Sequence, residues 1–114
     1  MRKTDKKTEN AIRLALTEAC EIALTRYPGF EWLTHLVDYN RFPESLTVVC
    51  VFDTTANLAK TDQQALSTLI QDKLAAIEIR VKNPRRLVRF DSEESCLAQH
   101  EGRWQERLSR FTVH

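Results

Sequence analysis

Apolar residues recur at helical spacing early in the chain, where Ile12, Ala15, Leu16, Ala19, Ile22 and Ala23 share one face and polar residues take the other. The pattern predicts an amphipathic helix from Thr4 or Thr8 to Tyr27. Pro28-Gly29 ends it, because proline cannot continue the hydrogen-bond ladder and glycine readily takes the left-handed conformation that closes a helix. From Phe30 to Asp38 the residues turn aromatic and β-branched, and from Ser45 to Asp53 the run Leu46, Val48, Val49, Cys50, Val51, Phe52 reads as the most buried strand. Their connection, residues 39–44, is short enough for an antiparallel hairpin and too short for a parallel crossover.

Thr61 and Gln64 stand at capping-box spacing, so a second helix is expected there, with Leu66, Leu69, Ile70, Leu74 and Ile77 as its core stripe. The period then drops to two. Ile77, Ile79 and Val81 alternate with charged residues, Asn83-Pro84 interrupts, and Leu87, Val88 and Phe90 come next, which reads as a second hairpin. Asp91 and Glu94 offer another capping box before a final helix, in which Trp104, Leu108 and Phe111 share a face, Gly102 marks a kink or break, and the last residues fray.

The summed order is α-β-β-α-β-β-α: an α+β two-layer sandwich with helices on one face of a mainly antiparallel sheet. With 114 residues, two glycines and no repeat or linker, the chain reads as one domain over 1–114. The basic start, Met1 to Lys7, is not an export signal, since Glu9, Arg13, Glu18 and Glu21 interrupt the apolar stretch after it, and the longest apolar run is too short to span a bilayer. A cytoplasmic protein with no membrane partner is expected. Cys20, Cys50 and Cys96 are odd in number, widely spaced and without a metal-binding pattern, which points to reduced thiols and no metal or cofactor.

The net charge of +1 implies no global field, so any charged partner must be recognised locally. The strongest local signal is Arg80, Lys82, Arg85, Arg86 and Arg89, five cations within ten residues beside the second hairpin's turn. On a β-ribbon they would neutralise a nucleic-acid backbone, with the basic arm Arg2, Lys3, Lys6 and Lys7 in support. Against this, Asp91, Glu93, Glu94 and Glu101 come soon after and would neutralise the patch as a solvated network. Glu106 and Arg110 stand at i,i+4 in the favourable order, as on an exposed, self-stabilised helix.

Trp104 is the aromatic residue best placed to anchor a partner, although its stripe also suits a core. The sequence lacks a phosphate-cradling glycine loop, HExxH and GxSxG, leaving His35, Asp38, Cys50 and Asp53 as the one cluster that a hairpin would gather for thiol or acid-base chemistry.

The stretches MRKTDKK, GFEWLTHLVDY, FPESLTVVCVFDT and FDSEESC with HEGRW together resemble a family of short, uncharacterised bacterial proteins often labelled Fis-type transcriptional regulators. That label implies a homodimeric DNA-binding protein with a C-terminal helix-turn-helix. Leu46 to Phe52 is strand-like where that architecture is all helical, and the C-terminal segment does not read as two short helices joined by a tight turn. No site residue carries over. The leading reading is a non-enzymatic interaction or regulatory module, partnered by another protein or by itself through a sheet edge at 86–91 or 30–38. Nucleic-acid binding through Arg80 to Arg89 comes second, and a small enzyme using Cys50 or His35 with Asp53 third.

Overall fold

The computed structural model describes Arg2 to Phe111, so the expected fraying of the last residues lies outside the described residues. Helix α1 (Lys3–Arg26) buries Ile12, Ala15, Leu16, Ala19 and Ala23, the face its periodicity marks. Strand β1 (Phe30–Leu36) leads through a 3-10 turn (Tyr39–Arg41) to β2 (Thr47–Phe52), and the two pair antiparallel as the short connection requires. The basic stretch at the start is the first turn of α1 rather than a free arm, with Arg2 bridging Asp5 at 3.4 Å.

A short helix α2 (Thr55–Lys60), absent from the sequence-based expectation, precedes α3 (Gln63–Ala75). Asp62, not Thr61, caps α3 by accepting from the Ala65 N–H at 3.0 Å, while the Thr61 hydroxyl donates back to the Asn57 carbonyl.

The second hairpin does not form. Glu78 takes a left-handed φ of 64°, and the N–H groups of Glu78 and Ile79 close α3 by donating to the carbonyls of Ala75 and Leu74. The backbone that would have laddered as a strand is thereby consumed. Ile77, Ile79 and Val81 serve the core from an irregular segment, and Pro84 opens a one-turn helix α4 (Pro84–Leu87). The crossover through 53–87 then delivers β3 (Val88–Ser92) parallel to β2. The sheet is therefore mixed, ordered β1-β2-β3, with β1 and β3 at its edges.

Helices cover both faces, not one. Val48, Cys50 and Phe52 meet the apolar stripes of α1 and α3 in the core. Val49 and Val51 point the other way and are equally buried, because Trp32, Arg89 and Asp91 stand beside them in register and receive the C-terminal segment. That segment is α5 (Glu93–His100), α6 (Trp104–Leu108) and a 3-10 turn (Ser109–Phe111). The expected break falls at Gly102, φ +80°, so the last helix is two. Ser92, one residue past the expected cap, accepts from the Ser95 N–H and starts α5.

Candidate functional site

Four arginines from four separate stretches converge on one cleft. Arg41 comes from the 3-10 turn after β1, Arg86 from α4, Arg89 from β3 and Arg110 from the final 3-10 turn. The cleft encloses about 380 Å³ above the buried Ser45 and Thr47, with Phe111 on its wall. The Arg89 guanidinium lies 5.7 Å from the Phe111 ring centroid, within cation–π range.

All four arginines are exposed, and among the described residues none of them forms an ion pair. The acids expected to neutralise this patch are engaged elsewhere. Asp91 holds Arg107, Glu93 accepts from the indoles of Trp32 and Trp104, Glu94 accepts from the Thr55 N–H at 2.9 Å, and Glu101 pairs with Arg103 at 3.0 Å. Among the described residues one carboxylate lines the cleft, Glu44, which accepts from the Lys82 backbone N–H at 3.2 Å.

Arg110 has no ion-pair partner among the described residues because α6 ends before it, and its Nη1 donates instead to the neutral Gln99 Oε1 at 3.5 Å. Helical geometry stops at Leu108, which takes Arg110 off the face it would share with Glu106, and Glu106 pairs with Arg103 at 3.3 Å instead. The expected Glu106–Arg110 pair is therefore absent among the described residues. Sequence spacing alone does not reveal Arg41 and Arg110 as site residues, since they lie far from the Arg80–Arg89 run. The aromatic neighbours Tyr39 and Phe42, which stack at 5.6 Å and pin the turn, are the available signal for Arg41.

The basic run itself divides. Arg86 and Arg89 reach the cleft, and Arg85 and Arg89 line a second groove along the free edge of β3. Arg80 lines a separate hollow beside Asp72, and Lys82 is exposed near Glu44. The run is an irregular segment, a single helical turn and the first residues of β3, not a β-ribbon.

Trp104 packs edge-to-face on Trp32, ring centroids 4.9 Å apart, and one carboxylate ties both indoles: Trp32 Nε1 to Glu93 Oε1 is 2.6 Å and Trp104 Nε1 to Glu93 Oε2 is 3.1 Å. It is half-buried in this role. Arg107 stands three residues after Trp104 and four before Phe111, on the face those aromatics share, which is the sequence signal for its burial.

The thiol and acid-base cluster does not assemble. Cys50 is fully buried, and burial pushes its thiol up to about 12. His35 Nε2 meets the Glu9 carboxylate at 3.0 Å, opposite Val48, whereas Asp53 lies past the other end of β2, about 16 Å away at strand spacing. Asp53 binds Asn57 and the Thr54 N–H, and Asp38 caps the 3-10 turn through the Asn40 N–H.

No helix among the described residues is long and apolar enough to cross a membrane, and no three His, Cys, Asp or Glu side chains among them are grouped to hold a metal ion. Comparison with protein-family models, with curated proteins and with solved structures gives no match.

Proposed function

We propose that the protein is a non-enzymatic regulatory module that binds nucleic acid through the arginine cleft. The observation that carries this reading is the convergence of Arg41, Arg86, Arg89 and Arg110 while every nearby acid of the C-terminal segment has another partner. Four guanidinium groups beside the one carboxylate of Glu44 leave the cleft positive in balance and poised for phosphate oxygens, which accept their forked N–H donors in pairs. The burial of Cys50 and the separation of His35 from Asp53 favour binding over catalysis. Three free cysteines fit a reducing cytoplasm.

A regulator in the Fis-type sense would read DNA with a C-terminal helix. Here α6 has five residues, and its Arg107 is turned inward to Asp91, so the cleft is the better-equipped surface. Self-association through the open edge at β1 is compatible with this use.

The test is fluorescence anisotropy with mixed-sequence single- and double-stranded oligonucleotides across a salt series, with molar mass recorded on the same sample. Four phosphate contacts give a log–log slope of roughly −3, and Arg86→Ala with Arg89→Ala should reduce its magnitude by about half. Absence of binding at low salt, or an unchanged slope in the double variant, would sink the reading.

A further inference from the structure

Building on that nucleic-acid reading, we propose that the ligand is a single strand, which runs from the arginine cleft around the free edge of β3 into the groove beside α3. Arg89 lines both depressions, so the two meet at one side chain of the edge strand. The groove encloses about 460 Å³ between Phe90 on β3 and Gln63, Gln64 and Ser67 on α3, with Arg85 beside them.

The chemistry changes along this path in the way a single strand requires. Arg41, Arg86 and Arg110 offer phosphate contacts at one end, Arg89 stands at the crossing, and Arg85 extends the cationic track. The primary amides of Gln63 and Gln64 each donate and accept, which matches the edges of unpaired bases. Phe111 at the cleft and the half-buried Phe90 at the groove place aromatic carbon beside the charges, the combination that holds splayed bases. An edge strand also presents backbone N–H and C=O groups for further hydrogen bonds.

A duplex fits this surface poorly. Its phosphates lie on a convex cylinder and its major groove admits a helix or ribbon, whereas these arginines rim a concavity of about 380 Å³. The helix bearing Arg86 is a single turn of four residues, too short to lie along a groove.

The test measures binding of the full chain to fluorescein-labelled oligothymidylates of about three and about ten nucleotides, and to a duplex of about ten base pairs, at low salt. The longer single strand should bind about tenfold or more tighter than both the trinucleotide and the duplex. Arg85→Glu should weaken the longer strand about tenfold or more and the trinucleotide by less, so that the advantage of length is largely lost. Arg85 is exposed, so an unchanged melting curve verifies the fold of the variant.

Equal binding of short and long strands, equal binding of strand and duplex, or an Arg85→Glu variant that holds the long strand as before would each overturn the track. Duplex binding that still depends on Arg86 and Arg89 would overturn the track alone and leave the cleft's nucleic-acid reading standing. Failure of every oligonucleotide to bind would remove both.

Discussion

Arg107 and Asp91 face each other inside the protein, with Arg107 Nη2 donating to Asp91 Oδ1 at 2.8 Å and Nε donating to Oδ2, each residue 5% exposed. The remaining guanidinium nitrogen reaches Gln99 Oε1 at 2.8 Å and the Ser95 carbonyl at 3.3 Å. This pair fixes α6 to the sheet and so holds Arg110 and Phe111 over the cleft. Asp91→Ala strands a buried cation and should destabilise the fold by about 3–5 kcal/mol. Pairing Asp91→Leu with Arg107→Met should cost less than either single change, because no unpaired charge is left behind. Urea denaturation of Asp91→Leu, Arg107→Met and the double variant checks this; a double variant that loses as much as either single would contradict it.

The Glu9 carboxylate is a second fixed point, joining α1 to the β1–β2 connection. Burial raises its pKa, but hydrogen bonds from His35, Tyr39 and Arg13 outweigh that and hold it at about 2, against an ordinary 4.5. A depressed carboxylate adds stability that is complete above its unfolded value and is lost as pH falls toward its folded one. The wild type should therefore lose stability between pH 4.5 and about 2 more steeply than Glu9→Gln. Denaturation midpoints taken at intervals across that range decide it, and parallel curves for the two proteins would show that Glu9 is not responsible.

Gly29 and Gly102 both hold positive φ, at +87° and +80°, yet their surroundings differ. A Cβ on Gly29 would lie 2.6 Å from Asp53 Oδ1 and 2.7 Å from the Asn57 side chain, while one on Gly102 would meet nothing within 4 Å. Gly102→Ala should cost about 1 kcal/mol from backbone conformation alone, and Gly29→Ala about 2–3 kcal/mol or more, since steric overlap is added. Thermal melts rank the two, and equal losses would mean the contact at Asp53 relaxes freely.

Cys50 tests the non-enzymatic reading from the other side. Its thiol is sealed in the core and burial pushes it up to about 12, so at pH 8 the native protein should not alkylate there, while the denatured chain should do so readily. Rapid modification of Cys50 by iodoacetamide under native conditions, located by peptide mass mapping, would contradict this.

The sequence reveals those parts of the fold that local pattern controls. The stripe from Ile12 to Ala23 specifies α1, and the run from Val48 to Phe52 specifies a strand that no solvent-facing alternation can describe, because both faces of β2 are covered. The false hairpin arises where pattern and backbone disagree. Ile77, Ile79 and Val81 alternate like a strand, but Glu78 occupies a left-handed position usually given to glycine, and nothing in its identity signals that.

The site is half legible for a related reason. Arg86 and Arg89 are conspicuous in a basic run, whereas Arg41 and Arg110 join them only through tertiary packing. The acids C-terminal to the run look fit to neutralise it by proximity. Asp91 shares its face of β3 with Arg89, but Arg107 takes its carboxylate and the two indoles take that of Glu93, so proximity along the chain misjudges the charge of the surface.

The most direct test of the arginine cleft is a titration of the isotope-labelled protein with a short oligonucleotide, following the arginine Nε–Hε signals by NMR. The signals of Arg41, Arg86, Arg89 and Arg110 should shift with added ligand, and that of Arg107, locked on Asp91, should stay in place. Binding that leaves those four signals unmoved while another surface responds would contradict a cleft-bound ligand.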